Sequence, residues 1–165
     1  MLTATCADPE QADTPADSPV ATAGRWQRAA ADARDTVLAF YDAFDRGALD
    51  RFEGIAPGFE ARVFGGTVLD GPGFLAFAAA FREGFPNGRH VFDHVVAEGD
   101  KVATIGRYRG RHERPFMGVP ATGREVDFVV MHIDVVAEGR IVEHRGIGDA
   151  GTMWAQLGVS PPASA

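Results

Sequence analysis

Apolar residues recur with a helical period in the first half of the chain and with a period of two in the second. Trp26, Ala30, Ala33, Val37, Phe40, Tyr41 and Phe44 fall at spacings that place them on one face of a helix, and Gly47 is a natural stop. Leu49, Phe52 and Ile55 predict a short second helix before Pro57. Gly71-Pro72 opens a third, with Phe74, Leu75, Phe77, Ala78 and Phe81 on its apolar side and Pro86 past its end. A short strand pair is expected around Phe59–Phe64 and Thr67–Leu69. From Arg89 onward the alternation is that of strands, over 89–97, 101–113, 124–136 and 140–148. Val95-Val96-Ala97-Glu98-Gly99 is echoed by Val135-Val136-Ala137-Glu138-Gly139, which marks two similar hairpins. Met153, Trp154 and Leu157 form a last helical turn that Gly158 ends. Helices followed by an antiparallel meander predict an α+β fold.

A chain of 165 residues, 45% hydrophobic and 24% charged, suits one globular domain. Residues 1–25 hold Pro9, Pro15, Pro19 and four acids but no aromatic residue, so they predict a disordered tail. The domain is expected over 26–159, with a flexible C-terminus at 160–165. A net charge of −7 argues against nucleic acid and anionic membrane as partners, because both require a basic footprint. The lone Cys6 excludes a disulfide framework and is a poor nucleophile in a polar tail. No signal-peptide pattern or membrane-length apolar run stands out, so a cytoplasmic location is expected.

Several stretches carry a resemblance. They are Phe85-Pro86-Asn87, Val96-Ala97-Glu98-Gly99-Asp100-Lys101-Val102 and Gly110-Arg111-His112, followed by the run from Phe116-Met117-Gly118 to Thr122-Gly123-Arg124. Glu138-Gly139-Arg140-Ile141-Val142-Glu143-His144, Asp149 and Gln156-Leu157-Gly158 complete the series. Over residues 34–158 the chain resembles the SnoaL-like polyketide cyclase (ester cyclase) family of the nuclear-transport-factor-2-like superfamily. The resemblance implies a cone-shaped barrel, a curved, mainly antiparallel mixed sheet packed against about three N-terminal helices. It also implies a homodimer without metal or organic cofactor. In the cyclases of this family an aspartate near the end of the last strand is the acid/base of an intramolecular aldol closure. Asp149 matches it by its place after His144 and before the terminal helix. Arg145 stands where tryptophan is frequent, Gly106 where an aromatic is frequent and Ile105 where arginine is frequent. Those departures alter the size and polarity of the pocket.

An aldol closure needs one group to remove a proton from carbon flanked by carbonyls and another to stabilise the accepting carbonyl. Asp149, among Ile147, Met153 and Trp154, has two readings: a catalytic carboxyl with raised proton affinity, or the cap of the last helix. His144 shares a strand face with Val142 and Gly146, and the small residues at 146 and 148 leave room beside it. It would polarise a substrate carbonyl or hold the proton of Asp149; alternatively it is hydrogen-bonded across the sheet. Val129, Met131, Ile133 and Val135 form a uniformly apolar face, which sends His132 away from the core to an outer-face or dimer-interface role and makes Met131 a pocket wall. His90 and His94 share a strand face but lie roughly 13 Å apart, too far to share a zinc ion. Arg107, Arg109 and Arg111 share a face that reads as solvated and answered by acids.

The expected catalytic residues are therefore Asp149 and His144. Tyr41, Tyr108, His112, Met131 and Trp154 are expected to bind substrate, with no metal and no cofactor. The expected activity is cofactor-independent cyclase-like chemistry, of lyase or isomerase type, on a small apolar carbonyl-rich metabolite of secondary metabolism. An isomerase or epoxide hydrolase on the same fold is an alternative, for which Asp127 and Arg145 are the available groups although their strand parity is wrong. A noncatalytic ligand-binding or dimerisation module is a third.

Overall fold

The computed structural model describes residues 19–160. Among them are three helices, α1 (Pro19–Asp45), α2 (Gly71–Gly84) and α3 (Ala150–Leu157), and six strands. The strands are β1 (Ile55–Val63), β2 (Thr67–Asp70), β3 (Arg89–Glu98), β4 (Lys101–Arg111), β5 (Glu125–Ala137) and β6 (Arg140–Gly148). They form one curved, unclosed sheet in the order β2-β1-β6-β5-β4-β3. The β1–β6 pair is parallel and the other pairs are antiparallel. This is the expected α+β architecture. No helix of the described residues is long and apolar enough to cross a membrane.

Local chemistry explains most boundaries. Asp70 caps α2 by accepting the Gly73 N–H at 2.9 Å, and Pro72 sits in the first turn, where a missing N–H costs nothing. Gly158 ends α3 in the left-handed region, with φ 72°. The expected helix over Leu49–Ile55 is instead a single 3-10 turn at Leu49–Arg51, and Ile55 already pairs with Ile141 in the sheet. Pro57 fits inside β1 because the register shifts between Ile55 and Glu60, so its position lacks a ladder partner.

Helix α1 begins at Pro19, upstream of the expected start at Trp26; residues 1–18 of the expected tail lie outside the described residues. Its core face begins only at Ala33 and continues through Val37, Phe40, Tyr41 and Phe44. Trp26 is 63% exposed, because the first turns of α1 run past the part of the sheet that the helix covers. The core fills the space between α1, α2 and the concave face of the sheet, with Phe40, Phe74, Phe128 and Ile141 among its most buried side chains.

The concave face of β5 carries Val126, Phe128, Val130, His132, Asp134 and Val136, all buried. The apolar row Val129, Met131 and Ile133 faces outward, 39%, 50% and 48% exposed. This inverts the parity expected from hydrophobicity. The helices decide which face is covered, and the two polar residues on that face are hydrogen-bonded.

A bulge between Phe92 and His94 sets two residues of β3 against one of β4 and splits the two histidines: His90 points into the concave side and His94 is exposed. Gly106 is what lets the bulge close. A Cβ there would lie 2.1 Å from the Val91 carbonyl oxygen and 2.6 Å from the Phe92 Cα, both of them backbone. Gly106→Ala is therefore expected to destabilise the fold by about 3 kcal/mol in urea unfolding. Gly58→Ala meets no neighbour and is expected to cost about 1 kcal/mol of backbone strain, because Gly58 has φ 80°.

Candidate functional site

The helices and the concave face of the sheet enclose a cavity of about 60 Å³. That is room for about four waters, and so for the reacting atoms of a ligand rather than the whole of it. Its apolar wall comes mainly from Phe40 and Phe44 of α1, Phe74, Phe77 and Phe81 of α2, and Phe128 and Val130 of β5. Into this wall project Tyr41, His90, Tyr108, His132 and His144. A wider groove of about 580 Å³ lies between the end of α1 and α2. It is lined by solvated Arg51, Asp50 and Glu83 and holds no carboxylate-paired histidine, so the smaller space is the candidate site.

The polar groups of the cavity are organised around Asp134, which has no solvent exposure. Tyr41 donates its hydroxyl to Asp134 Oδ2 at 2.9 Å, and His144 Nδ1 lies 2.8 Å from Asp134 Oδ1. A carboxylate has no proton to give, so Nδ1 of His144 carries a hydrogen, and in the neutral ring the lone pair is on Nε2. A Cβ on Gly146 would sit 2.9 Å from that Nε2, so the missing side chain opens the space in front of it. Phe74 and Phe40 flank the His144 ring at centroid distances of 5.1 and 5.9 Å.

His132 Nδ1 pairs with Thr104 Oγ1 at 3.0 Å, and the ring lies 5.5 Å from both His144 and His90. Burial holds its pKa well below the ordinary histidine value, with the neighbouring His144 and His90 adding to the effect. Burial likewise pushes the Tyr41 and Tyr108 phenols up, each with help from a nearby carboxylate, Asp134 or Asp45. These three side chains are therefore neutral hydrogen-bonding groups at physiological pH. Among the described residues, no cluster of three or more His, Cys, Asp or Glu is arranged to hold a metal ion.

Tyr41, Tyr108 and His144 thus reach the cavity, and the other expected site residues do not. Asp149 is exposed and caps α3: Oδ1 accepts the Thr152 N–H at 2.9 Å and Oδ2 accepts the Thr152 hydroxyl at 2.6 Å. The Thr152 hydroxyl and amide hold this carboxyl below the usual carboxylate range, opposite to the expected raised proton affinity. Met131 lies on the outer face of β5, away from the cavity. Trp154 is buried on α3 against Phe116 and lines no part of the cavity. His112 is fully buried but anchors the loop after β4, stacking on Phe85 at 5.2 Å with Nδ1 3.1 Å from Thr122 Oγ1.

Sequence reasoning missed Asp134, Asp45, His90, His132 and Thr104 as site residues. Asp45 had a signal, since Val37, Tyr41 and Asp45 recur every four residues on the inner side of α1. His132 and Asp134 had one too, sharing parity with Phe128 and Val130. His90 had none, because its direction depends on the bulge.

The sequence profile of the SnoaL-like polyketide cyclases matches residues 34–157. A solved protein of Jannaschia sp. CCS1, assigned to the SnoaL-like polyketide cyclases, is 28% identical with a TM-score of 0.74. The match covers 81% of this chain and 96% of that one. IdmH of Streptomyces antibioticus, assigned as a polyketide cyclase, is 37% identical with a TM-score of 0.69, over 77% of this chain and 99% of IdmH. AclR of Streptomyces galilaeus, assigned as a hydroxylase, shares the fold at 21% identity and a TM-score of 0.72, over 80% of this chain and 99% of AclR. No curated protein matches the chain significantly.

The depressed pKa of His132 gives stability a sign. Below the ordinary value of 6.5 the unfolded chain takes up a proton that the folded chain refuses, so stability falls as pH drops from 6.5 and is level just above it. His112, lowered by burial as well, acts in the same direction. Urea midpoints are expected to fall between about pH 7 and about pH 5, and His132→Gln to flatten that slope.

Proposed function

The chain belongs to the SnoaL-like polyketide cyclase family, and we propose that it is a cofactor-independent ring-closing enzyme acting on a small, apolar, carbonyl-rich metabolite of secondary metabolism. The observation that carries the reading is the Asp134–His144 pair at the wall of an otherwise aromatic cavity. His144, rather than Asp149, is the general base, and Asp134 fixes its tautomer and orientation.

The chemistry follows from the geometry. One end of the substrate enters the space over Gly146 and presents a carbon flanked by carbonyls to His144 Nε2. The proton moves to Nε2, and the Asp134 carboxylate offsets the charge that develops on the ring. Tyr41, already committed to Asp134, locks that carboxylate in place and ties α1 to β5. The phenylalanine wall keeps water away from the enolate and supplies apolar contact for the substrate. Asp127 and Arg145, which a water-activating mechanism would call on, lie on the outer face and pair with Arg107 and Glu143. A noncatalytic role would leave a histidine held by a fully buried carboxylate beside open space without a use.

The same reading includes a homodimer. Ile147 is 73% exposed and pairs with Met131 on the outer face, where Val129 and Ile133 continue the apolar surface. A second copy of this chain is the occupant that suits a self-complementary apolar sheet face.

Two outcomes test these statements. With linear polyketones as substrates and ring closure followed by mass spectrometry, His144→Gln is expected to lower turnover about 1,000-fold. Asp149→Ala is expected to keep turnover while costing about 1 kcal/mol of stability through the lost cap. The opposite ranking would reject His144 as the base. In light scattering coupled to size exclusion, Met131→Glu is expected to convert a dimer into a folded monomer; an unchanged mass would remove the dimer surface.

A further inference from the structure

The cavity holds a second histidine secured in the same manner as the first. Asp45, the last residue of α1, accepts the backbone N–H of His90 through Oδ2 at 2.8 Å, and its Oδ1 lies 2.7 Å from His90 Nδ1. The His90 side chain is 7% exposed and that of Asp45 18%. The ring stands edge-on to Tyr41 at 4.9 Å and to Tyr108 at 5.2 Å. His132 lies between the two paired histidines, 5.5 Å from each. Each paired histidine turns Nδ1 to a carboxylate, which leaves Nε2 as its reactive atom.

Ring closure needs two proton transfers of opposite sense at different atoms: one off carbon, the other onto the oxygen of the accepting carbonyl. A single base can do both only by carrying the proton from one atom to the other. The two His–Asp pairs at separate points of one cavity remove that need. Resting on the ring-closing reading above, we infer that His90, oriented by Asp45, is the proton donor to the accepting carbonyl while His144 is the base.

The step balances without an oxidant or reductant. The C–H bond between two carbonyls breaks, its electron pair stays as the enolate, and the proton goes to His144 Nε2. The enolate carbon attacks the distal carbonyl, a C–C bond forms, and the π pair moves onto oxygen. That oxygen takes a proton from Nε2 of doubly protonated His90. His90 ends neutral and His144 protonated, and exchange with solvent resets both. Asp45 offsets the charge on His90 before transfer. His132 lacks such a carboxylate and sits between two other imidazoles, which disfavours its charged form.

The test separates the two transfers. The probe is a linear nine-carbon triketone, with one β-diketone unit and a terminal methyl ketone placed to close a six-membered ring. Deuterium exchange at the β-diketone carbon, read by NMR above the buffer background, reports the base alone. Ring closure reports base and donor together. His90→Gln is expected to lower closure about 100-fold while exchange persists within about threefold. Asp45→Asn, which keeps the ring, is expected to lower closure about tenfold and to shift the His90 ring nitrogen resonances. Thermal melts identify a variant that has merely unfolded, and Asp45→Asn then decides. Closure that stays intact, or falls only in step with exchange, overturns the role of His90. His144→Gln is expected to lose both signals. If it keeps exchange, the base assignment fails, whatever His90 does. A wild type that neither exchanges nor closes the probe overturns both readings.

Discussion

A carboxylate shut off from water has to find its hydrogen-bond donors within the protein, and Asp134 finds two. Tyr41 reaches it from α1 and His144 from β6, while Asp134 itself belongs to the strand next to β6. Leaving such a charge unanswered would cost on the order of several kcal/mol, so these side chains are stable only as a group. The group in turn fixes where α1 lies across the sheet. With α1 placed, Phe40 and Phe44 meet Phe74 and Phe81 of α2, and the aromatic wall of the cavity is complete.

Burial also sorts the protonation states around that centre. It lowers the pKa of His132 and raises those of Tyr41 and Tyr108, so all three remain neutral. The other two histidines of the cavity, His144 and His90, face the carboxylates of Asp134 and Asp45 instead. Asp149 shows the same physics in reverse. Exposed, and bound by a threonine hydroxyl and amide, it stays ionised and does structural work at a helix end.

The sheet has two faces with unlike tasks. The concave face carries polar side chains that answer one another, Thr104 with His132, and Tyr41 and His144 with Asp134. The convex face carries Val129, Met131, Ile133 and Ile147, and among the described residues no element covers it. Strand β5 thus turns polar residues inward and apolar residues outward, the reverse of a strand whose outer face meets water.

The sequence alone determined most of the element types, their order and most of their ends, because helical and strand periods, Gly71-Pro72, Gly158 and the hairpin glycines act through local backbone chemistry. The family resemblance and the room beside His144 were also legible there. Tertiary structure decided which face of β5 is enclosed, because that depends on where α1 and α2 dock and not on which row of side chains is more apolar. It decided as well that His90 joins the cavity, since one extra residue in β3 opposite Gly106 flips the parity of the strand. Asp134 meets His144 across the β5–β6 hairpin only ten positions away, but its place in the site depended on which face of β5 is enclosed, and Asp45 reaches His90 only across forty-five positions of chain.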